Sequence, residues 1–320
     1  MSTNAMGRPE SLASSDRHEV WKKHRTTITE FLQRVRIPVE VLCSPSREAV
    51  EKLVLDHTKG WENMGFTSDR WRPFLKAGID LGAVGYGHTR VDVQAHIALF
   101  TVLFFCIDEF VASAEALDGF SARLLSGTPQ LDPLLDCMVD SLRHMPDFFL
   151  PYAAKCIVLS AIEFIDSCLH DKDVEGMKLH TAALPYINFK RMRNGLAAVY
   201  AFFVWDKFSF PNVSTYIQVI PEAMIYICHC NDILSFYKEQ LAGEKDNYVN
   251  NRALVANKDV DAVLSDIIDE AMRSVDVVRS VLQGEEKTAW EMFLRGYTAS
   301  HYMTSRYRLA ELLDGESVLF

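Results

Sequence analysis

Asn231, Ser235 and Glu239 stand at i, i+4 and i+8, and Lys238 stands at i+7. A helix turns about 100° per residue, so the first three drift only about 80° around the axis and Lys238 falls back beside Asn231. One helical face then carries an amide oxygen, a hydroxyl, a carboxylate and an ammonium. The oxygens are hard donors of the kind Mg²⁺ accepts, and that ion completes its octahedron with water and substrate phosphates. Asn and Ser are poor helix-interior residues, and the stripe continues an otherwise apolar segment, so it reads as a site where a metal holds a phosphorylated substrate.

A second acidic group, Asp108-Glu109, follows the apolar run that includes Phe104 and Phe105. An ionised carboxylate leaving such a run is costly unless paired or metal-bound. Taken alone, Asp108 reads first as the point where a helix reaches solvent. Glu115 at i+7 would share its face, with Ala112 between them, but reads first as a solvated acid. Two basic signals complete the set. Lys190, Arg191 and Arg193 directly precede Asn194-Gly195, where a mid-helix glycine marks a break that opens backbone groups to a ligand. Arg306-Tyr307 closes the last long helical pattern, where cations are expected from the helix dipole alone.

The elements that must carry these residues are helices. Apolar spacing predicts them over 17–35, 45–60, 70–81, 91–117, 131–147, 151–170, 182–205, 213–241, 258–283 and 286–312, with a glycine-rich break over 82–87. Residues 97–110 and 217–230 are apolar on nearly every face, as in helices at the middle of a bundle. Each ends in polar or acidic residues, which describes a deep apolar cavity with a charged mouth. No long linker or repeat divides the chain, so one all-α domain is expected over 16–320 behind a flexible tail over 1–15.

Composition narrows the partners. The 320 residues are 49% hydrophobic, with 19 Phe, 11 Tyr and 5 Trp, and the formal charge is −10. That balance, without a Lys/Arg run, excludes a nucleic-acid binder. Seven cysteines without a CxxC pair fit reduced thiols. Neighbouring helical residues point about 100° apart, so Cys228-His229-Cys230 cannot converge on zinc. With no signal peptide and no apolar stretch of transmembrane length, a soluble, cytoplasmic protein is expected.

In order and spacing, Asp108-Glu109, Arg191 before Asn194-Gly195-Leu196, Asn231/Ser235/Glu239 with Lys238, and Arg306-Tyr307 together resemble class I terpene cyclases, specifically the fungal trichodiene-synthase-like group, over about residues 90–310. The resemblance implies a single-domain α-helical bundle around a deep apolar cavity. It implies a Mg²⁺-dependent lyase, holding three ions, that ionises farnesyl diphosphate and cyclises the cation to a sesquiterpene hydrocarbon or alcohol. Asp108, Glu109, Asn231, Ser235 and Glu239 would hold metal. Arg191, Lys238, Arg306 and Tyr307 would bind diphosphate, with Arg193 the alternative to Arg191. Phe104 and Phe105 would face the carbocation, with Tyr200, Trp290 and Tyr302 behind them. Residues 242–248 would close the mouth. The partner is a small allylic diphosphate, with room for a homodimer. Ala112 stands where the family's first motif commonly has a third acid, which leaves open a catalytically silent isoprenoid-binding helical protein. A prenyltransferase would need a second aspartate-rich motif in place of the Asn/Ser/Glu stripe.

Overall fold

The computed structural model describes residues 14–110 and 113–313, and no β-strand occurs among them. Of the expected tail, residues 1–13 lie outside the described residues, while Ser14 and Ser15 already belong to the first helix. Ala112 is also outside them. The helices are α1 (Ser14–Val35), α2 (Arg47–Asn63), α3 (Ser68–Asp80), α4 (Val91–Phe110), α5 (Ala114–Asp118), α6 (Phe120–Ser126), α7 (Pro133–Arg143) and α8 (Met145–Phe148). They continue as α9 (Pro151–Asp173), α10 (Leu184–Asn194), α11 (Ala197–Phe202), α12 (Ile220–Ala242), α13 (Tyr248–Ala256), α14 (Val260–Val281), α15 (Gly284–Met303) and α16 (Leu309–Leu312).

Several expected helices are shorter than their apolar patterns. The 91–117 pattern ends at Phe110, and Ser113 caps a new short helix by accepting from the Ala116 amide. The 182–205 pattern breaks at Leu196, which takes a left-handed φ of 48°. The 213–241 pattern opens with two 3₁₀ turns, so the long helix begins only at Ile220. The last pattern stops at Met303 and reaches Arg306 through a 3₁₀ turn, Ser305–Tyr307. The glycine-rich 82–87 segment is not a plain break: Leu81–Gly85 continues α3 as a widened π turn.

Buried apolar side chains form one continuous cluster from Ile28 to Leu313. α4 lies inside it, packed by α2, α3 and α7. By length and composition this 20-residue helix would suffice to cross a bilayer, contrary to the reading that no stretch is long enough; 78% of its most apolar window is instead buried in the protein. α12 is the second central helix, covered by α14, α11 and α1. Glycines set the closest approaches. A Cβ on Gly82 would come within 2.5 Å of the Gln94 carbonyl of α4, and one on Gly296 of α15 would overlap the Val84 carbonyl. The buried Asp80 carboxylate ties the assembly together through Arg47 of α2 at 2.8 Å and through Lys76, whose ammonium also reaches the Met303 carbonyl at 3.0 Å.

Two glycine substitutions therefore have opposite expected signs. Gly296→Ala forces α15 off the π turn and lowers stability by about 2 kcal/mol or more. Gly60→Ala, in α2 with nothing within 4 Å of the new methyl, raises it by about 0.5–1 kcal/mol. Urea melts of the two variants check both.

Candidate active site

The ends of α4 and α12 and the segment after α15 meet at the mouth of a cavity of about 320 Å³. Its apolar lining comes from Ala77, Leu81, Phe104, Phe105, Phe164, Tyr200, Ile227 and Tyr297. Its polar lining includes Asp108, Arg191, Asn231, Ser235, Lys238, Glu239, Arg306 and Tyr307. All the expected metal and diphosphate residues except Glu109, together with Phe104 and Phe105, thus line one space.

Arg191 reaches it because of the break after α10. A Cβ on Gly195 would sit 2.6 Å from Arg191 Nη1 and 3.1 Å from Cys228 Sγ, so glycine is what lets the guanidinium lie against the turn. Arg191 Nε pairs with Asp232 Oδ1 at 2.7 Å, and Nη2 donates to Asn231 Oδ1 at 3.1 Å and to the Cys228 carbonyl at 3.3 Å. Nη1 reaches Asn194 Oδ1 at 3.5 Å. Burial, the largest single influence, would pull Arg191 down, but the charge and hydrogen bond of Asp232 together with Cys228 and Tyr297 hold the guanidinium above its ordinary value. Arg193 points away, pairing with Glu163 at 3.1 Å and lying over the Phe189 ring.

On α12, Asn231 also meets His301 Nε2 at 3.3 Å and Tyr307 Oη at 3.4 Å through Nδ2. Glu239 stands above the ordinary carboxylate range because it is buried, against a hydrogen bond from Ser235 and the charge of Lys238, whose Nζ is 3.8 Å away. Asp108 is raised for the same reason, opposed by Arg306. Its side chain is 52% exposed and lines the cavity mouth. Arg306 donates to Glu109 Oε1 at 2.8 Å, lies 3.9 Å from Asp108 Oδ2 and covers the Phe105 ring at 5.0 Å. Glu109 therefore faces Arg306 outside the cavity lining. Burial pushes the Tyr307 hydroxyl up to about 12, so it is a donor at neutral pH.

Among the described residues no group of three His, Cys, Asp or Glu side chains converges as a metal site. A cation here needs the amide and hydroxyl of the α12 stripe, with substrate oxygens and water completing its shell, as Mg²⁺ prefers. The residues fit such an ion: two carboxylates in the lining are held above their ordinary range by burial, and nearby positive charge would reverse that.

Other placements depart from expectation. Glu115 is exposed and outside the cavity lining, in keeping with a solvated acid, but it falls in the first turn of α5, so the helical register expected to place it on Asp108's face does not hold. Trp290 is fully buried against Tyr226 and Phe293, and Tyr302 packs on the core; neither lines the cavity. Tyr200 does line it, its hydroxyl donating to Thr101 Oγ1 at 3.3 Å. Of the 242–248 segment, Glu244, Asp246, Asn247 and Tyr248 line the mouth, and Asn247 caps α13, a helix the apolar pattern did not announce. Sequence reasoning missed Phe164, Tyr297, His301 and Asp232. Asp232 was readable only as a possible partner for a buried arginine, since on α12 it points about 100° from Asn231.

Behind Asp232 runs a polar chain. His229 Nδ1 lies 3.8 Å from Asp232 Oδ2, and its Nε2 lies 3.1 Å from Glu270, which accepts two bonds from Arg252 at 2.8 and 2.6 Å. The bonds from Arg252 hold the Glu270 carboxyl well below the usual carboxylate range.

A family profile described as trichodiene synthase matches residues 76–318. The chain is 32% identical over 299 residues to Monoterpene synthase 25 of Postia placenta, covering 91% of this chain and 87% of that one. It is 32% identical over 294 residues to Alpha-cuprenene synthase COP6 of Coprinopsis cinerea, covering 89% and 88%. Among solved structures, a linalool/nerolidol synthase from Streptomyces clavuligerus superposes with a TM-score of 0.62 at 16% identity, over 83% of this chain and 96% of that one. That likeness extends to the all-α fold.

The depressed Glu270 carboxyl has a definite pH signature. Its contribution is fully present above its unfolded value of about 4.3 and is lost as pH falls toward the lower folded value. Glu270→Gln is therefore expected to lower the melting temperature at pH 7 and to flatten its fall between about pH 5 and pH 2. Melting curves across that range check it, and an unchanged acid slope would count against the Arg252 pairing.

Proposed function

The chain belongs to the trichodiene synthase family of class I terpene synthases, and from that premise we propose a Mg²⁺-dependent sesquiterpene cyclase acting on farnesyl diphosphate. One observation carries the reading: a single cavity joins an aromatic and aliphatic wall to a mouth holding Arg191, Lys238 and Arg306 beside the Asn231, Ser235 and Glu239 stripe. The mouth also carries the carboxylates of Asp108, Asp171, Asp232, Glu239, Glu244 and Asp246, which outnumber those cations. An anionic substrate entering alone would be repelled, so divalent cations are required between carboxylates and phosphates.

Ionisation of an allylic diphosphate leaves a carbocation and inorganic diphosphate, so positive charge must stand at the leaving oxygens before the bond breaks. Asp108, Asn231, Ser235 and Glu239 would hold Mg²⁺, which when bound supplies Lewis-acid charge to those oxygens. Arg191, Lys238 and Arg306 bind diphosphate oxygens, and the neutral Tyr307 hydroxyl donates a further hydrogen bond. Phe104, Phe164 and Tyr297 exclude water from the cation, and their ring faces stabilise it. A geranyl chain is the second reading, favoured by the relative from Postia placenta named as a monoterpene synthase.

Incubation with Mg²⁺ and either geranyl or farnesyl diphosphate, with products read by gas chromatography, tests the reading. Cyclic C15 products with magnesium-dependent diphosphate release are expected; absence of release from both substrates would overturn the activity, and release from geranyl diphosphate alone would overturn the sesquiterpene assignment. Asn231→Ala with Ser235→Ala is expected to lower kcat/KM at least about 100-fold, as is Asp108→Asn. Glu109→Gln, which faces Arg306, is expected to stay within about tenfold of the parent enzyme, the scale of a partner outside the metal shell. Equal losses at Asp108 and Glu109 would make Glu109 a ligand. Phe104→Leu is expected to change the product mixture more than KM.

A further inference from the structure

We propose that His301 is a positioning residue whose ring decides which end of the Asn231 side-chain amide faces the cavity. This rests on the reading of Asn231 as a metal ligand. An asparagine binds a hard cation only through its oxygen, and an amide turned end for end would offer Mg²⁺ a nitrogen carrying two hydrogens.

His301 is buried on α15 at 3% exposure. Its Nδ1 lies 2.8 Å from the Tyr297 carbonyl, and a carbonyl only accepts, so Nδ1 carries a hydrogen. Nε2 lies 3.3 Å from Asn231 Nδ2; an amide nitrogen only donates, so Nε2 is the accepting lone pair of the ring. The other side of the amide faces a donor, Arg191 Nη2, 3.1 Å from Oδ1. Turning the amide over would set its oxygen against the histidine lone pair and its NH₂ against the guanidinium, losing both interactions and making two repulsive ones. Tyr307 Oη, 3.4 Å from Nδ2, can accept the second hydrogen. With both N–H groups directed toward His301 and Tyr307, Oδ1 keeps one lone pair for Arg191 and one for a cation. Ring contacts of His301 with Tyr297 at 4.8 Å and with Tyr307 at 4.4 Å restrain the imidazole itself. Partners outside the metal shell that orient a ligand typically affect metal affinity 10–100-fold.

Isothermal titration of the full chain with Mg²⁺ and inorganic diphosphate tests this, with magnesium-dependent steady-state kinetics as a second readout. His301→Leu removes the acceptor and is expected to weaken Mg²⁺–diphosphate binding by about tenfold. Its apparent KM for Mg²⁺ should rise by a similar factor while kcat at saturating Mg²⁺ changes much less. His301→Gln, whose Oε1 can accept from Asn231, is expected to restore most of the affinity. Asn231→Asp supplies oxygen at either end, so adding His301→Leu to it should cost less than about threefold in binding. Melting curves without Mg²⁺ identify folded variants, and His301→Phe takes the place of His301→Leu if the latter does not fold. Equal losses in the Leu and Gln variants, or an undiminished loss in the Asn231→Asp background, would overturn the proposal. Wild-type binding by His301→Leu beside weakened binding by Asn231→Ala would overturn it while leaving the metal ligand in place. Wild-type binding by both would remove Asn231 from the metal shell, and the proposal with it.

Discussion

A buried guanidinium sets the terms for the rest of this site. Arg191 lies between α10 and α12, and a charge withdrawn from water there must find partners on every side. Asp232, the Cys228 carbonyl and Asn231 supply them, all from one stretch of α12. The left-handed turn at Leu196 and the bare backbone of Gly195 shape α10 so that the side chain can lie there. The chain His229, Glu270 and Arg252 then ties Asp232 to α13 and α14. Removing one member leaves an uncompensated charge, so the network is held as a unit.

The second constraint is separation of wet from dry. α4 from Ile97 to Ile107 and α12 from Ala223 to Cys228 are almost wholly apolar before their polar residues begin. Their polar residues consequently appear together at one end of the cavity, and the lining below is aromatic and aliphatic. A charged group farther along either helix would have to be paired or neutralised. The same segregation that makes the core stable delivers Asp108 and Asn231 to a common mouth.

Much of this was legible in the chain. The α12 stripe depends only on helical period and donor chemistry, and the structure keeps Asn231, Ser235 and Glu239 on one wall. Arg191 was legible because glycine inside an apolar helical pattern signals a break. Glu115 is solvated as read, but its register assumed that α4 continues through it, and helix ends depend on caps such as Ser113 more than on apolar spacing. Asp232 and His301 were hidden for a different reason. Their roles come from contacts across 41 and 70 positions of sequence, and a polar residue flanking a motif carries no local mark of such a partner.

The two arginines of the mouth are consequently unlike. Arg191 is 13% exposed in its side chain and bound on several sides, so its partners are fixed before any ligand arrives. Arg306 is 25% exposed, sits on a short 3₁₀ turn, and pairs with Glu109 and Asp108 at the open rim. Ion pairs at a wet surface contribute about 0–1 kcal/mol, so exchanging Glu109 for a diphosphate oxygen costs little. In the proposed activity Arg191 is a preformed anchor, and Arg306 joins by exchanging one anion for another. Glu109 then serves to hold Arg306 at the rim until substrate arrives, which explains an acid beside Asp108 that does not line the cavity.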